Sequence, residues 1–364
     1  MTKTYLISAR RSAVAPRNGA LAHLELHELA KPVLDAVLQD AGISPQRVGE
    51  LIVANSLGAG GNPARVIALG AGWPETIAGL SIDRQCVGGL DALILADAMI
   101  RSGQHDVVVA GGVESYSRQP IRMRRFSDGR EPEAYDQAQF TPWSDRDPDM
   151  VDAAHQLAQQ LGIGKAEQDH WAVNSHAKAI TTVDIVEVAG VKEDSFRRNL
   201  TQKHCDRARI LSGGITVANM AVAADGAAFV VMASEKFVRS SQIEAVEFIA
   251  GKTLGGDPLF PGLAPVAAIK KTLVAAGVKA DQLTSAEIME AFAVQAIACQ
   301  KGANIALGIV NQKGGALARG HPIGASGAIL AVRLFHDLQK NGGIGLATIA
   351  AAGGLGSAVV LRST

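Results

Sequence analysis

Apolar and polar positions follow two periods along this 364-residue chain. The short runs Tyr5-Leu-Ile-Ser8, Leu51-Ile-Val-Ala-Asn55 and Asp106-Val-Val-Val-Ala-Gly-Gly112 have the length and aliphatic content of buried parallel strands. Between them, Leu26–Asp40 repeats its apolar residues at helical spacing and stops before Gly42, and a second helical pattern runs from Asp91 to Ile100. Strand and helix alternate, which predicts an α/β core of βαβ units.

The texture changes from Ser115 to about Ser212, where charged and polar residues dominate. This reads as a long excursion with helices near Ala153–Leu161 and Glu167–Thr181, after which the core resumes at Gly213. The second half repeats the first. A strand near Val246–Ala250 precedes a helix over Pro261–Ala276, and a strand at Glu287–Glu290 precedes a helix over Ala293–Gly302. The glycine-rich run Gly314–Gly327 then opens a helix through Leu338, and Gly345–Leu361 folds back as a hairpin. Ala350–Gly354 echoes Ala110–Gly112, as an internal duplication would.

Length favours two domains or two fused halves. Hydrophobic residues make up 48% and aromatic residues 4%, with 39 glycines, a composition suited to closely packed α/β backbones. Lys+Arg and Asp+Glu balance at 35 each, so no basic field invites nucleic acid. Cys86, Cys205 and Cys299 are too few and scattered for a disulfide framework or a zinc site. The first residues lack a signal-peptide core and no run approaches membrane-spanning length, so the expectation is a cytoplasmic protein without a membrane partner.

The chemistry concentrates at two helix starts. Cys86, in Ser81-Ile-Asp-Arg-Gln-Cys-Val-Gly-Gly-Leu90, stands where unsatisfied N–H groups and the helix dipole favour a thiolate. His321 heads a helix in the second half as Cys86 does in the first, so the duplication is expected to bring the two to one seam. Other motifs fail. Gly251-Lys-Thr253 lacks the first glycine of a phosphate loop, and Ser326 in Gly324-Ala-Ser-Gly-Ala328 lacks nucleophile-elbow spacing. The glycine pairs do not fit a dinucleotide fingerprint, and the histidines form no helical metal-ligand pair, so no metal is expected.

Several segments together resemble the thiolase superfamily, specifically its biosynthetic acetyl-CoA acetyltransferase branch. They are Asn62-Pro-Ala-Arg65, Ile82 through Cys86 to Leu90, Val107 to Ser115, Gln168 to His176, Asp225-Gly-Ala227, Glu290-Ala-Phe-Ala293 and Gly314 to Ala328. They fall in family order across essentially the whole chain. The resemblance implies two similar βαβαβαββ halves, 1–242 and 243–364, in a five-layer αβαβα arrangement, with an inserted loop domain at about 115–212. It also implies a homodimer or homotetramer, acyl-CoA as substrate and no covalently bound cofactor. Cys86 then matches the nucleophile that accepts an acyl group from coenzyme A, and His321 matches its base. The Cys86 N–H and one from Ala352 or Gly353 match an oxyanion hole, while Asn219, Ala221, Phe292 and Ser326 are candidates for the substrate pocket.

Two departures from the family pattern stand out. Met289 occupies the place of an Asn or His before Glu-Ala-Phe, and a thioether donates no hydrogen bond. Ala350 occupies the place of a second cysteine that serves as acid and base at the substrate α-carbon. Losing a general base typically costs about 10²–10⁴ in rate, so condensation and thiolysis are expected to slow unless another group substitutes, while acylation of Cys86 survives. Ala350, Ala351 and Ala352 make that wall apolar, suiting a bulkier acyl chain. Asn219-Met-Ala-Val222 loses a hydroxyl beside the pantetheine, Lys313 replaces an Asn, and Arg118, Arg122, Arg124 and Arg125 offer guanidinium groups to phosphates or to solvent. The expected function is a thiolase-like acyltransferase with altered condensation activity, against an ordinary acetyl-CoA C-acetyltransferase or a degenerate, non-catalytic coenzyme-A-binding paralogue.

Overall fold

The structure, a computed structural model, describes residues 2–58 and 60–364. The first half runs β1 (Thr4–Ser12), α1 (Leu26–Ala41), β2 (Glu50–Ala54), α2 (Pro63–Gly70), β3 (Leu80–Ile82), α3 (Gly88–Arg101) and β4 (Val107–Glu114). An excursion carrying α4 (Met150–Leu161) and α5 (Lys165–Lys178) then leads to β5 (Ala224–Ser234). The second half runs β6 (Val246–Gly255), α6 (Ala264–Ala276), β7 (Ser285–Ile288), α7 (Ala293–Gly302), α8 (Ile323–Asn341), β8 (Ile344–Ala351) and β9 (Leu355–Ser363).

Strand pairing repeats between the halves. β3, β2 and β4 are parallel neighbours, followed by antiparallel β5 and β1. β7 and β8 are likewise parallel, followed by antiparallel β9 and β6. The counterpart of β3 is reduced to one parallel bridge between Val310 and Ala286. Thr4, Tyr5 and Leu6 of β1 pair with Phe248, Glu247 and Val246 of β6, joining the halves.

Alternation along the strands builds the layers. On β4, Val107, Val109 and Val113 pack outward with Leu29, Val33 and Leu34 of α1, while Val108 and Ala110 pack inward with residues of α3 and α8. On β9, Ala358 and Val360 pack outward with Ala268 and Ile269 of α6, and Val359 and Leu361 pack inward on the same central helices. Five layers result: α1 and α2, the strands of the first half, α3 and α8, the strands of the second half, then α6 and α7, with the strands of both halves in one sheet continuous through β1 and β6. Burial on both faces explains why these strands read as unbroken apolar runs. Each fully buried Val, Leu or Ile adds about 1.5–3 kcal/mol of hydrophobic stabilisation.

Two expected boundaries move. The core resumes at Ala224, not Gly213, because the preceding residues form turns tied to neighbouring segments: Thr216 N–H donates to Asn219 Oδ1 at 2.8 Å, and Ala221 N–H to Ala291 C=O at 2.9 Å. The strand expected at Glu287–Glu290 is Ser285–Ile288. Ala286 and Ile288 fill the outer cluster, while Glu287 on the other face is neutralised by Arg333 at 2.9 Å, which lets a carboxylate occupy a buried strand.

The excursion is anchored to both halves. Asp149 caps α4 by accepting from Val151 N–H at 2.8 Å, and Leu157 and Ala158 of that helix pack on Val294 and Ile297 of α7. From β1, the buried Arg11 guanidinium pairs with Asp184 and, at 2.7 Å, with Asp194. The excursion thereby becomes a wall over the junction between the halves.

Candidate active site

Cys86 lies in a tight turn, Gln85–Val87, that runs directly into α3. The turn holds Gln85 at φ +51°, a left-handed conformation unusual for a residue with a side chain. Gln85 N–H donates to Asp83 Oδ1 at 3.0 Å, and Ser56 Oγ donates to the same oxygen at 2.8 Å, fixing the turn. No side chain caps α3, so its first N–H groups are free of a side-chain acceptor.

His321 precedes α8, and its Nε2 stands 3.1 Å from Cys86 Sγ. Behind it, Nδ1 is 2.6 Å from Ser326 Oγ, whose hydroxyl donates to Pro322 C=O at 2.9 Å. With that proton committed, Ser326 Oγ accepts the Nδ1–H, and the free lone pair falls on Nε2, facing the thiol. The pair is this close because α3 and α8 meet backbone to backbone. A Cβ on Gly89 would stand 2.4 Å from Ala328 N, and one on Gly327 would stand 2.6 Å from Leu90 N.

Burial pushes the Cys86 thiol up to about 12, with Glu114 and Asp83 adding to the shift, and pulls the His321 imidazole down to about 4. Both shifts oppose separated charges. Together they favour a resting thiol beside a neutral imidazole at neutral pH.

Glu114, at the end of β4, lies between the start of α8 and the segment that braces the Cys86 turn. Its carboxylate accepts from Asn55 Nδ2 at 2.7 Å, Ser56 N–H at 3.0 Å, Leu57 N–H at 3.1 Å and Gly324 N–H at 3.0 Å. Ser56 is shared with Asp83, so one hydrogen-bonded chain runs from the Cys86 turn to α8. Burial pushes Glu114 up to about 7 against these donors.

Cys86 and His321 open into a cavity of about 370 Å³. Met150, Ala153, Ala154 and Leu157 of α4 form one wall, and Met220, Ala221 and Phe292 another. Ala350, Ala351 and Ala352 close the side beyond β8, while Arg17, Tyr116, Gln119, Arg122 and Gln295 supply polar surface. This is a largely apolar pocket with a thiol and an imidazole in its lining.

Comparison with known proteins matches the chain to a family. Residues 4–236 match the family model for the thiolase N-terminal domain and residues 243–363 that for the thiolase C-terminal domain. The chain belongs to the thiolase family. A Staphylococcus epidermidis protein described as "Putative acetyl-CoA C-acetyltransferase VraB" is 33% identical over 380 residues, covering 100% of this chain and 99% of its own. A Staphylococcus aureus protein of the same description is 33% identical, with 99% of each chain covered. The crystal structure of the Bacillus anthracis acetyl-CoA acetyltransferase superposes with a TM-score of 0.93 at 30% identity, covering 100% of this chain and 99% of that one. The protein is accordingly an acyltransferase of thiolase fold.

Against that family frame, the expected pocket residues separate. Ala221 and Phe292 line the cavity. Asn219 and Ser326 do not, and both expectations are corrected. The Asn219 amide is fully buried, donating to Asp169 Oδ1 and Gly214 C=O, both at 3.0 Å, so it braces the excursion. Ser326 instead orients His321. Ala352 lines the cavity, whereas Gly353 is absent from its lining and a Cβ there would stand 3.2 Å from Phe140 O. Met289 is 2% exposed and belongs to the central apolar cluster, while Ala350 stands on the cavity wall. Cys299 offers no substitute thiol, because it accepts from Gln295 Nε2 at 3.2 Å and donates to Gly262 C=O at 3.4 Å outside the lining.

The basic groups also divide. Arg118 pairs with Glu25 and Lys313 with Asp337, Arg124 lies over the Tyr135 ring at 5.5 Å, and Arg122 donates to Ser56 C=O at 2.8 Å at the cavity rim. Among the described residues no helix is long and apolar enough to cross a membrane, and no His, Cys, Asp and Glu group is placed to hold a metal. Sequence reading did not single out Tyr116, Asp83 or Glu114. A signal existed: each stands within three residues of a strand end or of Cys86, where α/β folds place their sites.

Proposed function

We propose that Cys86 carries the acyl group of a coenzyme A thioester, with His321 as its base, and passes it to an acceptor. The carrying observation is the 3.1 Å approach of His321 Nε2 to Cys86 Sγ, with the imidazole held in the accepting tautomer by Ser326. The thiol gives its proton to Nε2 as sulfur attacks the thioester carbonyl, and the coenzyme A thiolate leaves with a proton returned through the imidazole. The Cys86 N–H, with one from Ala352, is proposed to hold the developing oxyanion, a device typically worth about 10²–10³ in rate per donor. The staphylococcal relatives' description favours acetyl-CoA among the thioesters used.

The half-reaction at the α-carbon lacks the second thiol that the resemblance implies, since Ala350 moves no proton. Acylation is therefore proposed to outpace carbon–carbon bond chemistry. Incubation with acetyl-CoA and longer acyl-CoA esters, followed by intact-protein mass spectrometry, should add one acyl mass that Cys86→Ala abolishes. No adduct at any chain length, with coenzyme A still bound, would establish the non-catalytic binding reading instead.

A further inference from the structure

Ala350 and Met289 carry no transferable proton, which raises the question of which cavity group serves the substrate α-carbon. The ionisable groups lining the cavity are Arg17, Cys86, Tyr116, Arg122, Asp136 and His321. A guanidinium is a poor proton source, Cys86 and His321 lie against each other, and Asp136 is exposed. Tyr116 alone brings a neutral, proton-bearing oxygen into the half-buried part of the pocket.

Its backbone is held from both sides. Tyr116 lies two residues past β4, between Ser115 and Ser117, and both neighbours bind the buried carboxylate of Asp225 on β5. Ser115 Oγ donates to Asp225 Oδ1 at 3.3 Å, Ser117 N–H to the same oxygen at 3.0 Å, and Ser117 Oγ to Oδ2. Arg118 N–H then donates to Ser115 Oγ at 3.1 Å. These bonds hold the backbone that presents Tyr116 to the cavity.

We propose that Tyr116 is the proton donor to the substrate α-carbon when this enzyme cleaves a 3-oxoacyl-CoA. The step rests on the reading of Cys86 as acyl carrier. Cys86 gives its proton to His321 Nε2 and forms the Sγ–C3 bond; the C2–C3 bond breaks and its electron pair passes to C2 of the departing thioester enolate. The Tyr116 O–H bond then breaks to protonate C2, and the phenolate recovers a proton from cavity water, which in turn accepts the imidazolium proton. Burial, Cys86 and Glu114 all push the phenol above its ordinary value, so it stays protonated at neutral pH, as a donor must.

Tyr116→Phe removes only that oxygen. Acetoacetyl-CoA cleavage with coenzyme A should fall about 10²–10⁴-fold, while acetylation of Cys86 by acetyl-CoA changes less than about threefold. Asp225→Asn, which loosens the anchors, should lower cleavage by a smaller factor than Tyr116→Phe with acetylation retained. Unchanged cleavage in Tyr116→Phe, or equal losses in cleavage and acetylation, overturns the role of Tyr116 alone. No acylation of wild-type Cys86 overturns the acyl-carrier reading and this step with it.

Discussion

The two sides of the cavity differ in kind. On one, two hydrogen-bonded sets meet at the ends of α3 and α8: Cys86, His321 and Ser326 form the first, and Glu114, Ser56 and Asp83 the second. On the other, Ala350, Ala351 and Ala352 offer methyl groups, with Met289 sealed in the core behind. The first side offers a thiol and a base, and the second offers apolar contact. On the proposed reading, one cavity thus separates two half-reactions that need different groups: forming an acyl-cysteine needs a base at sulfur, whereas chemistry at the α-carbon needs a proton carrier opposite.

The contrast breaks most sharply at His321. His321→Ala should slow Cys86 acylation by about 10²–10⁴, the usual contribution of a positioned general base, read from the rate of adduct formation; an unchanged rate would show that the thiol ionises without the imidazole. Converting the apolar side is the next test. Ala350→Cys places a thiol on the cavity wall and should raise acetoacetyl-CoA cleavage by about tenfold or more without accelerating Cys86 acylation, an increase on the scale of a modest acid–base contribution. A parallel rise in both would mean that the wall does not separate the half-reactions.

A smaller effect sharpens the polar side. Ser326→Ala leaves the Nδ1–H without its acceptor, frees the alternative tautomer and should slow acylation about five- to tenfold, in keeping with about 1–1.5 kcal/mol for one hydrogen bond. The slowest change is with pH. Burial pushes Cys86 up to about 12, so the thiolate fraction grows as pH rises toward that value and falls as it drops. Alkylation of the free enzyme by iodoacetamide should therefore increase steadily from pH 6 to 10; a plateau near neutrality would reveal a resting thiolate–imidazolium pair.

Much of this was legible in the residues. Val107–Ala110 and Leu51–Val53 announce buried strands because both faces are covered, and Cys86 and His321 announce themselves by standing at helix starts. Asn219 and Ser326 were misread for one reason: a polar side chain's neighbours come from distant segments, so spacing does not reveal whether it faces substrate or braces the fold. Tyr116 escaped notice because the clamp on it comes from Asp225, more than a hundred positions downstream.

By itself, then, the sequence determined the α/β class and the repeat of its two halves, and it singled out Cys86 and His321 as the candidate pair, because periodicity and residue type are local properties. Tertiary structure alone decided that Gly89 and Gly327 bring α3 and α8 into backbone contact, that Ser326 sets the tautomer of His321, and which wall of the cavity carries protons. Those outcomes depend on distances between segments far apart along the chain, and such distances are set by the packing of all five layers together.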